Sequence, residues 1–270
     1  MLCVIPRPRA VLPAAALAAL VAGGCSAFDS IPRGAESVTQ VFSGPTPAEA
    51  AEMALDEYNP DNRFRGVQLL SNADFGGNEP YMRLYVDAVT DADAGVRWAG
   101  VRALGRHGNP EHVEMIVGRL NDKDTLVRAE AARALQRLHD PAAVDALIRS
   151  TEPDIEPEPS VRAEAAHALG QYAQTRVVQA LIERLDDPSL AVNRNTLEAL
   201  TTLTGQDFKY DRRAWLDWAD GAGNLFAAKR PYTYPVFARD KNLLEWLPFM
   251  SPPPNEAEST PVGMMPDGAS

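Results

Sequence analysis

A nine-residue pattern of apolar and polar positions recurs five times along the chain. Its clearest copies are Val96–Leu104, Val127–Leu135, Val161–Leu169 and Val192–Leu200, with a degenerate copy at Asn62–Leu70. The starts fall at 62, 96, 127, 161 and 192, so the intervals alternate between 34 and 31 residues. Positions 1, 5, 8 and 9 are mostly apolar or small, which is the spacing of one buried face of a helix. Position 9 is leucine in every copy. Position 5 is Gly66, Gly100, Ala131, Ala165 and Thr196, small enough to let a neighbouring helix backbone come close. Position 7 is Gln68, Arg102, Arg133, His167 and Glu198, a solvated edge.

Between the copies lies a second apolar pattern, at Glu111–Leu120, Ala142–Ser150 and Thr175–Leu185. Pro110 and Pro141 stand at its first turn, where a missing N–H costs nothing. Position 1 is always 17 residues from the valine of this second helix (Val113, Val144, Val178), so the longer intervals differ only in their loops. Each unit is a helical hairpin of about 31 residues that buries its apolar face only against its neighbours. The predicted fold is all-α: a short right-handed α-solenoid of about five hairpins, spanning 46–205.

The quoted residues resemble HEAT repeats of the short bacterial, PBS-lyase-like type. The resemblance rests on Asp93-Ala-Gly-Val-Arg97, Asp124-Thr-Leu-Val-Arg128 and Glu158-Pro-Ser-Val-Arg162, each followed by alanine–leucine spacing. It implies a ladder of acid and arginine tying the inter-helix turns together. The expected partners are Asp93 for Arg97, Asp124 for Arg128 and Glu158 for Arg162. Downstream, residues 206–250 read as a C-terminal aromatic cap. Trp215 and Trp218 share a helical face there, suited to closing the last repeat's open core. Residues 251–270, with Pro252–Pro254 and few large apolar side chains, read as a disordered tail.

The N-terminus carries an address. Arg7 and Arg9 precede 13 apolar residues, Ala10–Ala22. A bilayer core takes about 20, so this is a signal-peptide pattern over residues 1–24. Val21-Ala-Gly-Gly-Cys25 resembles the bacterial lipobox, with Ala22 where leucine is usual. The resemblance implies an acylated Cys25 as the mature N-terminus and a tether over 25–45. Ser26 resembles the outer-membrane sorting pattern. The expected location is therefore the bacterial cell envelope, on an outer membrane facing the periplasm. Removing the leader shifts the net charge from −11 to −13. So acidic a chain repels phosphate backbones, and nucleic acid is not expected as a partner.

Candidate chemistry is sparse. Two cysteines, Cys3 and Cys25, exclude a disulfide scaffold. Phosphate-loop, nucleophile-elbow and His-Glu-x-x-His motifs are missing. HEAT-type deoxyhypusine hydroxylases hold two irons through His-Glu pairs, but the histidines here precede Gly108, Val113, Asp140 and Ala168. No catalytic residue, cofactor or metal is expected. The leading expectation is a non-enzymatic, lipid-anchored scaffold for an envelope protein or peptide. The alternative is an enzyme or enzyme accessory of the HEAT lyase or hydroxylase class. The candidate partner-binding residues are Arg102, Arg133 and His167 along the inner helix layer, then Tyr232, Tyr234 and Trp246 in the aromatic segment. Arg102 and Arg133 form a basic stripe that would steer an acidic peptide or an anionic envelope polymer.

Overall fold

The computed structural model describes residues 45–237 and 256–264; Cys25 and Trp246 lie outside them. Among the described residues there are 11 α-helices and two short strands. The helices are α1 (Pro47–Ala54), α2 (Pro60–Asn72), α3 (Glu79–Ala88), α4 (Ala94–His107), α5 (Val113–Arg119) and α6 (Thr125–Ala134). They continue with α7 (Val144–Arg149), α8 (Pro159–Leu169), α9 (Thr175–Arg184), α10 (Leu190–Thr204) and α11 (Arg212–Gly221).

The five sequence copies are α2, α4, α6, α8 and α10. Each packs on the copy before it, and α3, α5, α7 and α9 form the second layer. The stacked hairpins share one apolar core running from Ala50 to Trp215. Position 9, Leu70, Leu104, Leu135, Leu169 and Leu200, is 0–1% exposed throughout. Position 5 works as its size predicts. A Cβ on Gly100 would lie 2.7 Å from the backbone nitrogen of Val89 and 2.9 Å from the Ala88 carbonyl carbon. The glycine is what lets α4 lie directly on the end of α3. Gly66 meets α1 in the same way, at the Ala50 and Ala54 backbone. That added N-terminal helix covers the first copy.

The second helices begin differently from the simple expectation. Pro110–His112 and Pro141–Ala143 are single 3₁₀ turns leading into α5 and α7. Asn109 and Asp140 cap them, accepting from the N–H groups of Glu111 and Ala142. At the far end the aromatic cap forms: Trp215 is fully buried and donates its indole N–H to the Lys209 carbonyl at 2.9 Å. Phe208 and Trp218 both pack on it edge-on, with Phe208–Trp215 centroids 5.0 Å apart and Trp215–Trp218 6.1 Å, and are tilted against each other.

The ladder exists, but its rungs join different residues from those expected. Arg97 does not pair with Asp93. It makes a two-pronged bond with Asp122 of the next turn, both contacts 2.8 Å. Arg63 pairs with Asp91, Arg128 with Glu156 and Arg162 with Asp187 in the same way. The expected acids are otherwise occupied. Asp93 caps α4 through the N–H groups of Gly95 and Val96, and Asp124 caps α6 through Leu126 and Val127. Glu158 occupies the N-cap position of α8. A helical side chain leans back toward the helix N-terminus, so each arginine passes its own cap and reaches the following loop. Its remaining Nη1 donates to the carbonyl of its own turn's acid, as Arg97 does to Asp91 at 3.0 Å.

Every rung acid also accepts the N–H of the residue two positions on: Asp93, Asp124, Glu158 and Ser189. One carboxylate therefore fixes its own loop and the preceding helix together. Burial pushes the Asp122 carboxyl up, but the Arg97 bonds and the Asp124 N–H outweigh it and hold it below the usual range. Asp91 behaves likewise under Arg63. The run Asp91–Gly95, faintly like a calcium loop, is thus committed to Arg63 and to capping. The ladder stops at α10, where Asn193 replaces arginine and its Nδ2 still donates to the Asp187 carbonyl.

Part of the expected disordered tail is ordered. Residues 256–259 form β2 (Glu256–Ser259), antiparallel to β1 (Tyr234–Phe237), with Tyr234 opposite Ser259. Val262 then bridges to Leu138. Low hydrophobic content alone misses this, because backbone hydrogen bonds hold the segment.

Candidate functional site

The C-terminal ends of the first helices form an edge opposite the ladder, and the chain's own C-terminal segment lies along it. The segment runs backward over the stack. The Arg230 N–H donates to the Thr202 carbonyl of α10 at 2.7 Å. Tyr232 lies against His167 of α8, with ring centroids 5.4 Å apart and its hydroxyl 3.0 Å from Nδ1. Tyr234 lies by Arg137, just past α6, whose guanidinium is 5.8 Å from the ring centre. Val262 exchanges two backbone bonds with this region. Its N–H donates to the Arg137 carbonyl and its carbonyl accepts from the His139 N–H, both at 2.8 Å. Gly263 follows against Pro110, at the start of the second repeat's outer helix.

Tyr232 fills a socket. It is 4% exposed, and burial raises its hydroxyl well above the ordinary tyrosine range. His167 Nε2 faces Glu198 at 3.8 Å, and Nδ1 pairs with the Tyr232 hydroxyl. The His167 ring beside Glu198 lowers the latter's carboxyl. Arg137 carries the opposite burden: burial lowers its guanidinium, and no ion pair of Arg137 occurs among the described residues. Its cation rests instead on the Tyr234 face, a favourable but weaker arrangement.

The expected basic stripe is therefore not an open row of cations. Arg133 bonds Glu130 at 2.9 Å and Glu164 at 2.7 Å. Position 4 of its own copy lies one turn away, and position 4 of the next copy lies across the groove. Arg102 stacks over Trp98 at 5.1 Å from the ring centre. His167 is covered by Tyr232. Of the expected candidates, the structure brings His167, Tyr232 and Tyr234 together, while Arg102 and Arg133 lie near enough to Arg137 for their charges to act on it. Arg137 was missed, and its signal was only its place one helical turn beyond Arg133.

Each histidine has a structural partner. His107 Nε2 lies 2.7 Å from the Ser71 carbonyl, and its ring stacks on Tyr85; burial lowers its pKa. His112 Nδ1 meets Asn109 in a capping turn. His139 bonds Gln171 and stacks on Tyr172 at 4.9 Å. Among the described residues no cluster of His, Cys, Asp or Glu is placed to hold a metal ion. Among the same residues no helix is long and apolar enough to cross a membrane.

Stacked two-helix units with a continuous core and a capped end define a HEAT-like α-solenoid. The family described as HEAT repeats matches residues 83–156 and 154–210. Among solved structures, the complex of CpcE and CpcF of phycocyanin lyase from Nostoc sp. PCC7120 is similar. The TM-score is 0.53 at 22% identity, covering 61% of this chain and 67% of that one. A designed armadillo repeat protein gives a TM-score of 0.47 at 17% identity, over 68% of this chain and 95% of that one. The likeness to the CpcE and CpcF structure speaks to the fold alone. No curated protein matches the chain.

Proposed function

We propose that the protein is a non-enzymatic scaffold that binds a protein or peptide partner in the bacterial cell envelope. The observation that supports this reading is the extended segment held along the first-helix edge. The array holds the stretch beyond β2 by backbone bonds of Val262 to Arg137 and His139, and the stretch before β1 by Tyr232 in a socket at His167. A surface that orders an extended chain by those means is suited to a partner of the same form. The similar solved structure is a complex of CpcE and CpcF, and pairing with another protein is what we infer for this chain. The lyase-type alternative has only the likeness of fold behind it.

The anchor rests on the leader pattern of Arg7, Arg9 and Ala10–Ala22 and on Val21–Cys25. An acylated Cys25 would tether the acidic array near a membrane, since two or more acyl chains hold stably where one does not. A Cys25→Ser chain should leave the membrane fraction, and globomycin should cause the unprocessed precursor to accumulate. A Cys25→Ser chain that still sediments with membranes overturns the anchor. Envelope crosslinking from the array that yields no protein partner overturns the scaffold.

A further inference from the structure

The C-terminal segment keeps register with the repeats. Arg230 contacts the fifth copy, Tyr232 the fourth and Tyr234 the third. Two residues of extended chain cover about 7 Å, close to one helix-to-helix step of about 8–10 Å. Residues two apart on an extended chain also face the same side, so both tyrosine rings turn toward the array. One enters the His167 socket and the other covers Arg137.

The hold is local. Tyr232 and Pro261 are buried, whereas Pro235 is exposed and Val262 is 48% exposed. The array's core is complete without the segment, because α10 is closed by Trp215 and α11. The segment covers His167 through Tyr232 and Arg137 through Tyr234, and Val262 lies beside buried Leu138.

From this we infer that the His167–Arg137 edge is a recognition site for an extended peptide bearing two aromatic side chains two residues apart. The chain's own Tyr232-Thr-Tyr234 is its resident occupant and must be displaced by the partner. The inference rests on the scaffold reading for its purpose, but its test needs no envelope partner. Displacement exposes a site already formed, so competition sets the apparent affinity: a tethered occupant acts at a high effective concentration.

The test uses a labelled peptide of residues 228–237, titrated into the full chain and into a full-length Tyr232→Ala, Tyr234→Ala variant. The variant should bind the peptide saturably and at least roughly tenfold more tightly than the unaltered chain, whose own segment competes. A peptide carrying Tyr232→Ala should bind the variant at least roughly tenfold more weakly, since an aromatic anchor filling a pocket dominates such contacts. The variant should lose the docking energy of the segment but still melt in one cooperative transition, because the substitutions leave the α1–α11 core intact. Equal peptide affinity for both chains overturns the inference. So does the absence of saturable binding by a variant that melts cooperatively. Failure of envelope crosslinking, with this competition intact, would fault the scaffold's setting and not the site.

Discussion

Replacing Arg97 with methionine tests the ladder where it is most deeply buried. The side chains of Arg97 and Asp122 are 5% and 4% exposed. Methionine keeps much of the apolar stem but removes both 2.8 Å contacts to Asp122 and the donations to the Asp91 and Ala92 carbonyls. Asp122 is left with the Asp124 N–H and one contact to Arg119 at 3.5 Å. Removing one partner from a buried pair costs about 3–5 kcal/mol, mostly the penalty of the stranded charge. In a unit of this size each kcal/mol moves the midpoint by about 2–4 °C, so melting at pH 7 should fall by about 6–20 °C. The pH dependence carries the mechanism. With Arg97 present the folded Asp122 pKa is depressed, so the pair's contribution is full above the unfolded value of about 3.9 and fades below it. With Arg97 gone, burial dominates and the carboxyl protonates readily as pH falls. The gap between the two chains should therefore narrow between pH 7 and pH 4 in a series of calorimetric scans. Arg83→Ala, which breaks a pair 77% and 72% exposed, is the control and should cost well under about 1 kcal/mol. An Arg97→Met chain melting within about 2 °C of the unaltered one, or a gap that widens in acid, would refute the assignment.

Three other outcomes follow from the packing. Gly100→Ala places a Cβ 2.7 Å from the Val89 nitrogen and should destabilise by about 1–3 kcal/mol in urea titration, despite alanine's better helix propensity. Leu135→Ala and Leu169→Ala, both fully buried, should each cost about 2–5 kcal/mol, and hydrogen exchange should quicken in the adjoining hairpins as well as the altered one. His107 has a folded pKa lowered chiefly by burial, so the stability it contributes is full above its unfolded value of about 6.5 and declines as pH falls below it. A His107→Gln chain, compared by denaturation from pH 7.5 to 5.5, should lose less stability over that range than the unaltered one.

The repeat, its length and its buried face can all be read along the chain. A leucine at position 9 and a small residue at position 5 leave one helical face able to pack, and a hairpin with one such face must stack. Both are local rules of periodicity and size, which is why the fold was legible. The array's capped end was legible too, because Trp215 and Trp218 share a face and an open core needs cover. Which acid meets which arginine depends on how the hairpins stack. Asp93 stands at the spacing of an ordinary helical pair with Arg97, but a carboxylate at the N-cap is drawn to unsatisfied N–H groups, and the arginine's lean carries it to the next loop. The acids at 91, 122, 156 and 187 repeat with the array, yet two acids per turn made the choice ambiguous along the chain. The path of the C-terminal segment was likewise closed to sequence reasoning. Backbone hydrogen bonds at Val262 carry no side-chain signature, and Tyr232 finds its socket on His167, 65 residues away.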